Sequence, residues 1–140
     1  MSAIKGGNTK PELIIRKGLH KLGFRYRLHD KTLPGKPDMV FPKYSAVIQV
    51  NGCFWHMHNC WLFQWPATRI DFWRTKIESN KKRDNDNTDS LLSGGWRVLQ
   101  IWECALEDQT GMTEMDVIMK ASAWLISDKK QMEIKGSKKA

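Results

Sequence analysis

Three cysteines and a pair of histidines restrict the fold of this chain more than any other feature of its sequence. Cys53, His58 and Cys60 lie close together, and Cys104 follows at the end of a later apolar segment. Thiolate and imidazole ligands in a four-ligand set are typical of structural zinc, which would tie the central loop to that later segment. His56 is an equally acceptable ligand, and spacing does not decide between His56 and His58. The alternative is that the cysteines are small buried side chains and the histidines lie on the surface.

Apolar periodicity predicts helices on both sides of a central sheet. A Thr9-x-x-Glu12 capping box and Pro11 in the first turn indicate a helix start. An apolar segment starting at Trp96 is typical of a buried strand, so Trp96 and Trp102 are expected in the core. The fold class is therefore α/β or α+β. Strands are expected over 24–28, 39–41, 46–50 and 96–102, and helices over 69–92 and 113–126. The last helix would carry Met115, Ile118 and Leu125 on or near one face.

The length of 140 residues suits one domain, which we expect to span 1–127. The Lys-rich segment 128–140 is predicted to be a flexible tail. An odd number of cysteines argues against a disulfide framework, and no apolar run is long enough for a secretory signal or a membrane span. These features predict a soluble intracellular protein.

Positive charge is concentrated at the start of the chain. Of the formal net charge of +8, residues 1–36 carry +7, because nine basic residues face two acidic ones there. Such a segment favours a polyanionic partner, most often nucleic acid, although a merely basic surface is the alternative.

A nuclease-like carboxylate pattern begins at Pro37-Asp38. In the pattern Pro-Asp…(Asp/Glu)-x-Lys, carboxylates at strand ends hold Mg²⁺ beside the scissile phosphate. Here Gln49 and Asn51 occupy the positions of the second carboxylate and the lysine. His56 is then the natural general base if His58 binds zinc. Glu12 could supply a second carboxylate, but from the sequence alone it is more simply a helix-capping residue.

Large aromatic side chains stand beside basic ones around the predicted zinc loop. Phe54, Trp55 and Trp73 lie near Arg69 in the sequence, and such aromatic groups can stack on bases or wedge between them. Packing in the core is the alternative for each of them.

Taken together, these residues resemble the very-short-patch repair (Vsr) family of DNA mismatch endonucleases. The resemblance covers about residues 1–106, and it rests on the joint occurrence of Asn8-Thr9-Lys10-Pro11-Glu12, Leu33-Pro34-Gly35-Lys36-Pro37-Asp38, Gly52-Cys53-Phe54-Trp55-His56 with His58 and Cys60, Pro66-Ala67-Thr68-Arg69, and Gly95-Trp96-Arg97-Val98 through Trp102-Glu103-Cys104.

The resemblance implies a restriction-endonuclease-like α/β fold of the PD-(D/E)XK type, with a mixed sheet flanked by helices and one structural zinc. It also implies a Mg²⁺-dependent nick 5′ of the thymine in a T:G mismatch that arises when 5-methylcytosine deaminates. The expected partners are mismatched double-stranded DNA, mismatch-repair proteins and, functionally, a cytosine methyltransferase. A monomer in the bacterial cytoplasm, associated with the nucleoid, is the expected form.

Residue roles follow from the same resemblance. Asp38 would be the catalytic, Mg²⁺-binding aspartate and the Val50 carbonyl a second Mg²⁺ ligand, with His56 the catalytic histidine and Glu12 its supporting acid. The zinc set would be Cys53, His58, Cys60 and Cys104. DNA contacts would come from Phe54, Trp55 and Trp73 as an aromatic wedge, from Met1 and Ile4 in the opposite groove, and from Arg69.

Two departures from the family pattern bear on activity. Asn51 stands where the family has a histidine; asparagine can hydrogen-bond a phosphate or a water but does not titrate near neutral pH, so a changed pH dependence is expected. The family's N-terminal DNA-clasping segment is expected to be shortened here, which would weaken DNA binding. The alternatives are a restriction-type nuclease of the same fold that cuts paired DNA, and a zinc-stabilised DNA-binding module without catalysis.

Overall fold

Successive residues of the two central strands pack alternately on opposite faces of the sheet, so both faces carry apolar side chains. The structure, a computed structural model, describes residues 10–52, 68–106 and 113–136. Its helices are α1 (Lys10–Lys21), α2 (Ile70–Ser93) and α3 (Glu114–Leu125), and its strands are β1 (Arg27–Leu28), β2 (Met39–Phe41), β3 (Ala46–Asn51), β4 (Arg97–Trp102) and β5 (Gln131–Ile134). Short 3-10 turns, Pro42–Tyr44 and Glu103–Leu106, follow β2 and β4.

The described strands form one mixed sheet in the order β1-β2-β3-β4-β5. The β1–β2 and β2–β3 pairs are antiparallel, whereas the β3–β4 and β4–β5 pairs are parallel. On one face, Ile48 and Leu99 pack against Ile15 of α1 and Val117 of α3. The opposite face carries a smaller cluster that includes Leu91 of α2. Helices therefore cover both faces, as expected for the α/β class.

Arg97 connects α3 to the sheet. Its guanidinium donates hydrogen bonds to the carbonyl oxygens of Trp124, Leu125 and Lys129, at 3.2, 2.7 and 3.1 Å, and lies 4.6 Å from the Trp124 ring centroid. The last carbonyl groups of a helix have no partner within it, so this arginine satisfies them and directs the chain toward β5.

The predicted elements are confirmed in most places, with three corrections. The strand expected over 24–28 is ordered as a strand only at Arg27–Leu28. Met115 is 57% exposed, because α3 turns Ile118 and Leu125 inward instead. Residues 131–134, expected within a flexible tail, form β5, because pairing with β4 satisfies their backbone groups whatever their side chains are. Among the described helices, none is both long and apolar enough to cross a membrane.

Candidate active site

Asp38 lies where two antiparallel strands meet. It directly precedes β2, and the pairing of Met39 with Ile48 brings it beside the last residues of β3. The Val50 backbone N–H donates a hydrogen bond of 2.7 Å to Asp38 Oδ2. Because this bond holds one carboxylate oxygen, the orientation of the other, Oδ1, is also restricted. The structure thus brings together the two residues that the sequence pattern placed at strand ends.

Glu12 is a buried carboxylate on the sheet-facing side of α1. It shares that side with Ile15 and Leu19 at helical spacing, and it is only 1% exposed. Arg16 Nη1 lies 3.0 Å and His29 Nε2 lies 2.8 Å from Glu12 Oε2. A carboxylate buried to this degree needs such charged or hydrogen-bonding partners to offset its desolvation. Glu12 therefore faces the site, while its predicted capping partner Thr9 lies outside the described residues.

His29 completes a cluster that the sequence analysis missed. Ligand atoms of Glu12, His29 and Asp38 all lie within 4.8 Å of one another, and His29 Nε2 is 4.0 Å from Asp38 Oδ1. The pairing of Leu28 with Met39 places His29 opposite Asp38. If the predicted strand over 24–28 is paired antiparallel with the strand over 39–41, His29 falls opposite Asp38. No metal-binding spacing around His29 in the sequence would have indicated this residue.

Asn51 is held at the end of β3 by a directed chain of hydrogen bonds. Its Nδ2 donates to Gln100 Oε1 at 3.2 Å, and Gln100 Nε2 donates to Thr88 Oγ1 at 3.1 Å. The Thr88 hydroxyl in turn donates to the Asp84 carbonyl at 3.0 Å. These contacts run from β3 across β4 to α2 and fix the plane of the Asn51 amide.

An exposed cluster of aromatic and basic groups marks the start of α2. The Arg69 guanidinium lies 4.5 Å from the Phe72 ring centroid, and the Phe72 and Trp73 rings meet edge to face at 5.3 Å. Phe72 is 49% exposed, although the sequence analysis did not select it, and Trp73 is half-buried. This surface could stack on bases.

Cys104 is buried in the 3-10 turn that follows β4, where its Sγ accepts a 3.3 Å hydrogen bond from the Gly136 backbone N–H. Asn51 pairs with Trp102 in the parallel β3–β4 ladder, so Cys104 follows β4 at the sheet edge where β3 also ends. The other predicted zinc ligands and several predicted catalytic and DNA-contacting residues lie outside the described residues: Cys53, His58, Cys60, His56, Phe54, Trp55, Met1 and Ile4.

The donor set at the sheet edge suits a divalent cation. Two carboxylates, one of them buried, converge with an imidazole at adjoining strand ends, and oxygen and imidazole nitrogen are both ordinary ligands for such ions. A mixed sheet between helices, with carboxylates at this edge, fits a nuclease-like fold.

Comparison with known proteins specifies this class. Residues 1–62 match the family described as DNA mismatch endonuclease Vsr. The chain is 40% identical over 128 residues to the DNA mismatch endonuclease Vsr of Escherichia coli, covering 91% of this chain and 82% of that protein. It is 47% identical over 108 residues to the type II nicking enzyme V.XorIIP of Xanthomonas oryzae, covering 77% and 79%, and 43% identical over 109 residues to V.NmeAIP of Neisseria meningitidis, covering 78% of each.

The chain belongs to the Vsr family. It is a DNA-nicking endonuclease that acts on phosphodiester bonds, and the family implies that it uses a divalent metal.

Proposed function

We propose that this endonuclease nicks DNA on the 5′ side of the thymine in T:G mismatches and requires Mg²⁺. The observation that carries the proposal is the junction of Asp38, Val50 and buried Glu12 at one sheet edge. The E. coli relative is a DNA mismatch endonuclease, which supports a mismatch as the substrate. Such mismatches arise when 5-methylcytosine deaminates, so the enzyme would act beside a cytosine methyltransferase and with mismatch-repair proteins.

In the proposed mechanism, the Asp38 carboxylate and the Val50 carbonyl would hold Mg²⁺. The ion would neutralise charge on the scissile phosphate and lower the pKa of the attacking water. His56 orients that water and accepts its proton, while Glu12 supports the histidine. Asn51, whose Nδ2 donates to Gln100, would hydrogen-bond the DNA backbone or a water.

We further propose one structural zinc held by Cys53, His58, Cys60 and Cys104. Two observations support it: Cys104 is buried, and the parallel ladder pairs Asn51 with Trp102. In the sequence, Cys53 lies two positions after Asn51, and Cys104 lies two positions after Trp102. Closed sites with thiolate and imidazole ligands are typical of structural zinc.

Mismatch recognition would use aromatic side chains. Trp73, beside Arg69 at the start of α2, supports a contact with unstacked bases, and Phe54 and Trp55 would complete the wedge. Met1 and Ile4 would contact the opposite groove.

The test is a nicking assay with end-labelled duplexes that carry either a T:G pair or the matched T:A and C:G pairs. With Mg²⁺, we expect a single nick 5′ of the mismatched thymine. Mutation of residues that hydrogen-bond metal ligands commonly lowers metal affinity or activity by about 10–100-fold. Asp38→Asn alters a proposed ligand itself, so we expect it to lower the nicking rate by more than about 100-fold. Asp128→Asn is the matched control, since Asp128 is an exposed acid after α3.

Each other outcome contradicts part of the proposal. Equal cutting of matched duplexes would indicate a restriction-type nuclease. Binding without any nicking would indicate a DNA-binding module, and nicking by Asp38→Asn at the wild-type rate would place the metal elsewhere.

A further inference from the structure

His29 is held with its imidazole against both carboxylates of the candidate site. Its Nε2 lies 2.8 Å from Glu12 Oε2 and 4.0 Å from Asp38 Oδ1. The side chain is 22% exposed, so an ion and its waters can reach it from solvent.

The backbone of His29 also helps to fix the position of its side chain. The His29 N–H donates a 3.1 Å hydrogen bond to the Asp38 carbonyl, one step beyond the β1–β2 pairing of Leu28 with Met39. His29 also has a φ of 49°, in the left-handed region that residues other than glycine seldom adopt. The chain turns sharply here, and the turn directs the imidazole toward the carboxylates.

The separations between these atoms match those of ligands that share one ion. With metal–ligand bonds of about 2.0–2.2 Å, adjacent ligand atoms lie about 3 Å apart and opposite ones a little over 4 Å apart. The distances of 2.8 and 4.0 Å fall near these two values. Arg16, at 3.0 Å from Glu12 Oε2, would keep that buried carboxylate paired if His29 turned from it to an ion.

We propose that His29 is a protein ligand of the catalytic cation through Nε2, which adapts the site to divalent transition-metal ions such as Mn²⁺ as well as Mg²⁺. Mg²⁺ is bound almost entirely by oxygen, whereas imidazole nitrogen strengthens the binding of first-row transition ions. This inference rests on the metal site of the proposed function, but it concerns only which ion that site holds and through which atom.

The alternative role for His29 is positioning, in which its Nε2–H only holds Glu12 by a hydrogen bond. The two roles predict different metal coordination and different relative affinities for divalent ions. A ligand places nitrogen directly on the metal and favours Mn²⁺ selectively, whereas a positioning residue affects the binding of every divalent ion alike.

The test uses the full chain with its zinc retained, without DNA. Mn²⁺ and Mg²⁺ affinities are measured by isothermal titration calorimetry, and pulsed electron paramagnetic resonance records hyperfine coupling between bound Mn²⁺ and imidazole nitrogen. His29→Gln keeps a polar group of similar reach but removes the imidazole. His20→Gln is the control, because His20 is an exposed histidine of α1.

For the wild type and His20→Gln we expect imidazole coupling. For His29→Gln we expect the coupling to vanish, the Mn²⁺ affinity to fall by about tenfold or more, and the Mg²⁺ affinity to change by less than about twofold. Absence of coupling in the wild type, persistence of coupling in His29→Gln, or equal losses for the two ions would overturn the proposal.

If His29→Gln does not fold, His56→Gln protein labelled with the heavier nitrogen isotope in histidine decides the question, because it lacks the other histidine assigned to this site. The isotope shift must then appear in the Mn²⁺ spectrum, and its absence would overturn the proposal. The outcome is separable from the proposed function, because nicking of T:G duplexes with Mg²⁺ is measured independently and does not require nitrogen coordination.

Discussion

Gly35 shows how one residue supports the approach of the chain to Asp38. Its φ of 75° lies in the left-handed region, and a Cβ placed on it would lie 3.0 Å from both Cβ and Nδ2 of Asn87 on α2. The loop that leads to Asp38 therefore needs glycine here for its backbone conformation and for its close packing on the helix.

Gly35→Ala should lower the free energy of unfolding by about 2–3 kcal/mol, because the left-handed conformation costs roughly 1–2 kcal/mol and crowding against Asn87 adds to it. Urea denaturation measures this loss. Gly95→Ala is the matched control: Gly95 has a φ of 90° with no atom within 4 Å of the added Cβ, so only the conformational cost of about 1–2 kcal/mol applies. Equal losses in the two variants would contradict the packing argument.

At the scale of elements, β3, β4 and α2 are connected by the hydrogen bonds from Asn51 through Gln100 to Thr88. Asn51 is 8% exposed, so its amide depends on this protein partner more than on water. The network fixes the end of β3 next to Asp38 and Val50, and it thereby couples packing between elements to the geometry of the candidate site.

Gln100→Leu should destabilise the protein by about 1–3 kcal/mol, since it removes the acceptor of a buried amide. We also expect slower nicking, because Asn51 would lose its fixed orientation. Gln131→Leu, on an exposed position of β5, is the control. Wild-type stability and nicking rate in Gln100→Leu would show that the network is dispensable.

The start of α3 carries a capping box whose strength depends on pH. The Thr113 backbone N–H donates to Asp116 Oδ2 at 2.9 Å, and the Asp116 N–H donates to Thr113 Oγ1 at 3.0 Å. The hydrogen bonds from Thr113, the backbone one foremost, hold the pKa of the Asp116 carboxyl below its ordinary value of 3.8. Because the folded state favours the ionised form, this stabilisation is present above that ordinary value and is lost as pH falls through the lowered pKa.

Asp116→Asn should therefore lower the Tm at neutral pH, and the difference from wild type should shrink as the pH falls below about 4. Thermal melts from pH 7 down to pH 3 measure the convergence. Asp128→Asn serves as the control for loss of an exposed charge. A difference from wild type that stays constant with pH would contradict a contribution from the ionised carboxylate.

For the whole molecule, the proposed zinc would link the segment that follows β3 in the sequence to the end of β4. A small domain gains much of its stability from such a link, because the binding free energy of structural zinc contributes directly to folding. Cys104 lies in the core, so loss of a metal bound to it would disturb the packing of the interior.

Removal of zinc with a chelator should unfold the chain, with loss of helical circular dichroism as well as of nicking. Addition of zinc to the stripped protein is the control and should restore both. Metal analysis of the untreated protein should give one zinc per chain. A stripped protein that retains its fold and its melting transition would contradict a structural zinc.

The amino-acid sequence was enough to predict the helices near 69–92 and 113–126, the strands near 46–50 and 96–102, and the placement of Asp38 at a strand start. These depend on periodicity and on neighbours along the chain, which are visible in the residues. The resemblance carried by its motifs also led to the Vsr family. The roles of the catalytic, zinc-binding and DNA-contacting residues stay predictions.

The contact among Glu12, His29 and Asp38 could not be predicted from the sequence, because three separate segments bring these residues together in the folded chain. Glu12 needs the packing of α1 on the sheet, and His29 needs the register of β1 against β2. Likewise, the Lys-rich segment contains an ordered strand because β4 offers hydrogen bonds to the backbone of Gln131–Ile134. Backbone pairing is nearly independent of side-chain type, so composition, which predicted a flexible tail, could not reveal it.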